Sequence, residues 1–188
     1  MGKKRKIDYI IEENDNSRLI FRFYPRQSSC HSFGDEPPKS WDDVYKVYFS
    51  YAIIEQWRYS SDDQWQSEVL FYEQCDECSI IDDIAMRCSL LADGTEVFKR
   101  EDGEEIQLLN NSILPFGMGV EWTISKHVCT EYGWDEDDED IIHTYYIFIL
   151  FDYNGKGYKF TLEEKNMKSF GEYLHECCEY MLAHGDPI

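Results

Sequence analysis

The stretch from Ile141 to Gly185 constrains the fold more than any other part of the chain. His143 to Asp152 is dense in aromatic and β-branched residues, which suit a pleated strand. Asn154-Gly155 follows, a pair that tolerates the positive φ of tight hairpins. Tyr158, Phe160 and Leu162 then alternate with Lys159 and Thr161, the pattern of a returning strand with one buried face. Thr161-x-x-Glu164 has the form of a capping box for a helix over about 163–184. Met167, Phe170, Leu174, Cys177, Cys178 and Met181 share one face of that helix. Gly185 and Pro187 are suited to end it. The unit is a hairpin under an amphipathic helix, and nothing within it is catalytic. Ile147 to Leu150 are apolar at every position, so this strand is expected to be central and covered on both faces.

Other elements are placed around this unit. Lys6 to Glu12 and Arg18 to Tyr24 read as strands joined by a turn at Asn14–Ser17. Pro25 to Lys39 reads as a long loop. Residues 44–59 keep some helical spacing, but their Val, Tyr, Phe and Ile content favours strand, with Gln66 to Glu73 returning beside it. Cys78, Ile81, Ile84 or Ala85, Cys88 and Leu91 predict a helix over about 76–92, with Asp76 and Glu77 at its positive end and Gly94 just past its last turn. Thr95–Arg100 and Glu104–Leu109 flank a Glu101-Asp102-Gly103 turn, and Val120–Thr130 supplies another strand. The order is strands, helix, strands, helix: an α+β fold with a largely antiparallel sheet and two amphipathic helices. With 188 residues and no sharp composition shift, residues 1–188 read as a single domain.

Charge narrows the partners. The chain carries 38 acids against 18 bases, a net charge of −20. Lys3-Lys4-Arg5-Lys6, within a basic frayed tip at 1–6, holds four of the bases, so the rest of the chain stands at −24. Such a field repels phosphate backbones and anionic membranes and attracts basic proteins. No direct nucleic-acid or membrane contact is therefore expected. The longest wholly apolar run, Tyr145–Phe151, is far short of the roughly 20 residues a spanning helix needs. Seven cysteines with no signal-peptide pattern fit a reducing, cytoplasmic setting with most thiols buried.

Motifs for chemistry are weak. Cys75-x-x-Cys78 lacks a second paired set for zinc, and Asp76 and Glu77 disfavour a reactive thiolate there. Asp152 to Glu163 has the outline of a calcium loop, but Lys156 occupies a ligand position and a strand precedes it, so the hairpin reading prevails. His127 and Cys129 would share a strand face, and His31 adjoins Cys30, yet no nucleophile elbow, phosphate loop or dinucleotide fingerprint occurs. The expectation is a protein that is not an enzyme and uses no cofactor or metal.

Surface recognition is what remains. The exposed acidic loop at 131–140 sets Trp134 among Asp135, Glu136, Asp137, Asp138, Glu139 and Asp140, and the turn near residue 60 offers Asp62, Asp63 and Trp65. Aromatic anchors within a charged field give binders affinity and rapid association together. From Trp41 onward, the acidic strand-rich first half, the helix ending at Asp93-Gly94, the later strands and the closing helix Glu163–His184 resemble in layout small immunity proteins of bacterial polymorphic (contact-dependent) toxin systems. That resemblance implies neutralisation of a toxin by covering its basic active surface. The alternative is a nucleic-acid mimic that inhibits a DNA-binding or restriction protein, and the third reading is a small enzyme or metal-binding domain. If the acidic loop steers a basic partner, neutralising Asp135 to Asp140 slows association more than it hastens dissociation. Stopped-flow kinetics at low salt test this, and an unchanged association rate refutes it.

Overall fold

The computed structural model describes residues 7–24, 29–30, 48–59, 64–109, 113, 121–132, 140–152, 154–184 and 186–187. The strands are β1 (Asp8–Glu13), β2 (Ser17–Phe23), β3 (Ser29–Cys30), β4 (Tyr48–Trp57) and β5 (Gln66–Glu77), followed after the first helix by β6 (Val97–Lys99), β7 (Glu105–Gln107), β8 (Glu121–Glu131), β9 (Ile141–Phe151), β10 (Gly157–Glu163) and β11 (Asp186–Pro187). The helices are α1 (Cys78–Ala92) and α2 (Glu164–His184). The fold is α+β with antiparallel sheets, as the order of sequence patterns predicts. The expected sheet is divided into a four-stranded one, β1-β2-β4-β5, and a three-stranded one, β10-β9-β8. A β6–β7 hairpin and a short parallel β11–β3 pair complete the set.

Local chemistry explains the turns. The Asn14 carboxamide oxygen accepts from the Asn16 and Ser17 amides at 3.0 and 2.9 Å, closing the β1–β2 turn. Asp152 does the same for Asn154 and Lys156, and Gly155 adopts φ +76°. The calcium-like outline is therefore a hairpin whose aspartate is occupied by main-chain N–H groups. Residues 48–57 of the ambiguous segment are strand.

Several boundaries differ from expectation. Asp76 and Glu77 pair with Phe49 and Tyr48 in β5, so α1 begins at Cys78 with no acid in its first turn. Thr161 pairs with Ile147, and β10 runs through Glu163 directly into α2, so no capping box forms. In both places the ladder of main-chain hydrogen bonds with a neighbouring strand outweighs the local capping preference. The loop expected at Pro25–Lys39 contains β3, and its other residues lie outside those described. Arg87 of α1 is buried despite its charge; it bonds Asp83 at 2.9 Å and reaches the Gln107 carbonyl at 3.3 Å, tying α1 to the end of β7.

Phe170 of α2 is the hub of the core. Its ring packs against Tyr9 and Phe21 of the four-stranded sheet, at 5.1 and 5.6 Å, and against Phe148 and Phe160 of the three-stranded sheet, at 5.7 and 6.0 Å. The Trp122 indole N–H donates to the Tyr51 hydroxyl at 3.1 Å, a buried bond joining the two sheets. β9 is central in its sheet, with Tyr146, Phe148 and Leu150 facing the core. Its other face is covered less than expected: Ile147 is buried, Ile149 half-buried and Phe151 exposed.

The helices approach each other tightly at Gly171. A Cβ there would lie 2.7 Å from the Ala85 carbonyl oxygen and 3.0 Å from Cys88 Cβ. Backbone cannot yield as a flexible side chain does, so Gly171→Ala pushes α2 away from α1. We expect a stability loss of roughly 1–3 kcal/mol, read as a lower urea midpoint at unchanged slope. Unaltered stability would show that the helix pair is not this tightly set.

Candidate functional site

β8 and β9 pair without interruption from Glu121↔Phe151 to Glu131↔Ile141. β10 is shorter and pairs only with Tyr145–Phe151, because the chain turns into α2 after Glu163. Ile141 to Thr144 of β9, with Val128 to Glu131 opposite, therefore project past β10 as a two-stranded arm. At about 3.4 Å per residue the overhang is about 13 Å long.

Side chains alternate across this arm. Val128, Thr144, Thr130 and Ile142 continue the face that, nearer the core, carries Phe148 and Tyr146. Beyond the domain this apolar face is bare: Val128 is 61% exposed and Ile142 68%. Tyr132, at the end of the arm, is 73% exposed. Cys129, Glu131, His143 and Ile141 occupy the opposite face, where His143 Nε2 and Glu131 Oε2 lie 3.4 Å apart. Tyr146 anchors the base of the arm; its hydroxyl donates to the Leu91 carbonyl at 3.4 Å, and burial raises its pKa.

Beside the overhang lies an open cleft of about 720 Å³, bounded by the end of β1, the edge of β9 and the first turn of α2. Among the described residues Glu12, Glu13, Glu163 and Glu164 line it, against Lys165, whose Nζ is 2.5 Å from Glu163, and His143. Lys126 on β8 is also engaged, bonding Glu96 at 3.0 Å, which raises the lysine pKa. The site is thus negative beside bare apolar side chains. That combination is chemically complementary to a surface bearing both positive charge and apolar groups.

Of the residues singled out in the sequence, Asp140 is exposed just before β9. Trp65 is half-buried against the parent domain, with the Arg18 and Arg58 guanidinium groups 4.4 and 4.8 Å from its ring centroid. Both cation–π contacts hold the indole to β2 and the end of β4, so it is not a free-standing anchor. Asp62, Asp63, Trp134, Asp135, Glu136, Asp137, Asp138 and Glu139 lie outside the described residues. Val128, Ile142, Glu12, Glu13, Glu163 and Glu164 were not singled out. The available signal was the length mismatch between the strand-like run ending at Phe151 and the shorter return from Tyr158.

The Ser and His groups on the outer sheet face do not assemble a catalytic site. Ser125 Oγ lies 3.3 Å from His127 Nε2, and that ring stacks on Tyr145 at 5.6 Å, but the carboxylate of Glu131 meets His143 instead. The pair sits on an open surface that does not exclude water, where nucleophile activation is weak. Among the described residues no set of His, Cys, Asp and Glu side chains is arranged to hold a metal, and no helix is long and apolar enough to cross a membrane. Comparison with family models, with curated proteins and with solved structures finds no match.

Thiol chemistry offers a check on this geometry. Cys129 is exposed on the arm, whereas Cys78, Cys88, Cys177 and Cys178 are buried, and burial pushes the Cys88 and Cys178 thiols up. Of these five, only Cys129 should react with iodoacetamide in the native protein at neutral pH, because the thiolate is the nucleophile. Peptide mapping that finds early labelling at Cys88 or Cys178 would contradict this packing.

Proposed function

We propose that this protein is an acidic binding module of the inhibitor or immunity type, which neutralises a basic protein partner by covering its active surface. One observation carries the reading: bare Val128, Tyr132 and Ile142 on an arm flanked by Glu12, Glu13, Glu163 and Glu164. Carboxylates draw the partner in, and desolvation of the apolar residues slows its departure. A phosphate-mimicking inhibitor would need the charges alone, so the uncovered aliphatic residues favour recognition of one cognate protein. The acidic run Asp135–Asp140, joined in sequence to the same arm, extends the negative field. A reducing intracellular setting accords with Cys78, Cys88, Cys177 and Cys178 serving as small buried side chains of the core.

The test is capture of partners from the source cell on the tagged protein at about 0.3 M salt, which screens non-specific charge contacts. A single basic protein should be retained, and its activity should fall to nothing at one equivalent of this chain. Val128→Asp with Ile142→Asp should weaken the complex by about 2 kcal/mol or more, as expected for a central apolar contact. Displacement of the partner by DNA would instead support the mimic. Retention of no basic protein would overturn both.

A further inference from the structure

The overhang exposes main-chain as well as side-chain groups. In an antiparallel strand, the N–H and C=O of one residue point to the same side, and successive residues alternate. Asp152 donates its N–H to the Lys156 carbonyl at 3.0 Å and accepts from the Gly155 N–H at 2.9 Å, so its main chain points towards β10. The β9–β10 register is unbroken from Phe151↔Gly157 to Tyr145↔Glu163. Leu150, Phe148 and Tyr146 therefore also point to β10, and Thr144 and Ile142 point the same way beyond its end. Among the described residues no strand pairs with them there.

We infer that the open edge of β9 at Ile142 and Thr144 is a β-augmentation site for an extended basic segment of the partner protein, which adds as a strand where β10 leaves off. This rests on the protein-binding reading above. A vacant ladder position beside apolar side chains is how extended peptides dock on sheets, with main-chain bonds giving affinity and alternate side chains giving specificity. The two faces dictate the segment. On one, its side chains lie beside bare Ile142 and the Val128–Thr144 row, which suits apolar residues. On the other they lie beside Glu163 and the Glu131–Ile141 row, which suits Lys or Arg. A period-two alternation of basic and apolar residues satisfies both. A second copy of this chain is the poorer occupant, because its own Glu163 and Glu164 would be brought against those of the first, and like charges oppose pairing.

The probes are a short fluorescein-labelled peptide of alternating lysine and valine, its isomer with lysines and valines in separate blocks, and the alternating peptide N-methylated at every second main-chain nitrogen. Anisotropy should show the alternating peptide binding at least about tenfold more tightly than the block isomer, with N-methylation abolishing the difference. Hydrogen exchange should show the Ile142 and Thr144 amides becoming protected. Thr144→Pro removes an N–H that no strand among the described residues uses, a position where an edge strand tolerates proline. It should cost the same factor in affinity while leaving the melting temperature near that of the parent. Glu163→Gln with Glu164→Gln should weaken both lysine peptides without removing the preference for alternation.

Equal binding of the two isomers, or no binding of either at low salt, overturns the inference. So does a dimer in sedimentation that Thr144→Pro dissolves, which would assign the edge to self-association. The captured partner separates this inference from the reading beneath it. A partner that holds Thr144→Pro as tightly as the parent sinks the strand-addition site alone, whereas the absence of any basic partner sinks the broader reading.

Discussion

Everything in this fold depends on the placement of Phe170. Its ring contacts Tyr9, Phe21, Phe148 and Phe160, residues contributed by four strands in two sheets that share no ladder. Without a shared ladder, the sheets are related by side-chain packing and by the Trp122–Tyr51 bond. Such packing is non-directional, and large aromatic surfaces make it strong. The adjacent Gly171 lets α1 approach α2 through its main chain, so one turn of α2 organises both sheets and the other helix. The consequence for function is geometric: α2 must start where β10 ends, and that abrupt exit leaves the β8–β9 arm projecting.

Charge and packing then act at different ranges. The excess of acids over bases is spread along the chain and sets a field that any partner feels at a distance. Binding at close range needs surface that gains by losing water. On the arm, Val128, Tyr132 and Ile142 provide it beside the Glu12, Glu13, Glu163 and Glu164 rim. Lys165 offsets one carboxylate of the rim, Glu163, and Lys126 is engaged by Glu96, so Glu12, Glu13 and Glu164 keep the rim negative.

Trp65 is less free than its sequence neighbours suggest, and the reason lies in distant segments. Trp65 lies next to an acidic turn in the sequence, yet in space it is held between Arg18 and Arg58, which come from β2 and the end of β4. Those partners are distant along the chain, so no local pattern signals them. Arg87 is a second case. Its place between Asp82–Asp83 and Ser89 looks solvent-facing, but the Gln107 carbonyl draws it under β7. Likewise Thr161 and Asp76 carry helix-start chemistry that becomes strand once Ile147 and Phe49 are alongside.

The sequence by itself determined the class of fold, the two helices, the hairpins at Asn14–Ser17 and Asn154-Gly155, and the acidic character. These rest on periodicity, turn chemistry and composition, which are local or additive properties of a chain. Only the tertiary structure decided that the sheet divides in two, that β9 outruns β10, and that among the described residues no strand pairs with the β10-facing edge at Ile142 and Thr144. Strand register and the length of pairing are relations between segments far apart in the chain. They are settled by which side chains fill one core together, and one segment read alone does not contain that information.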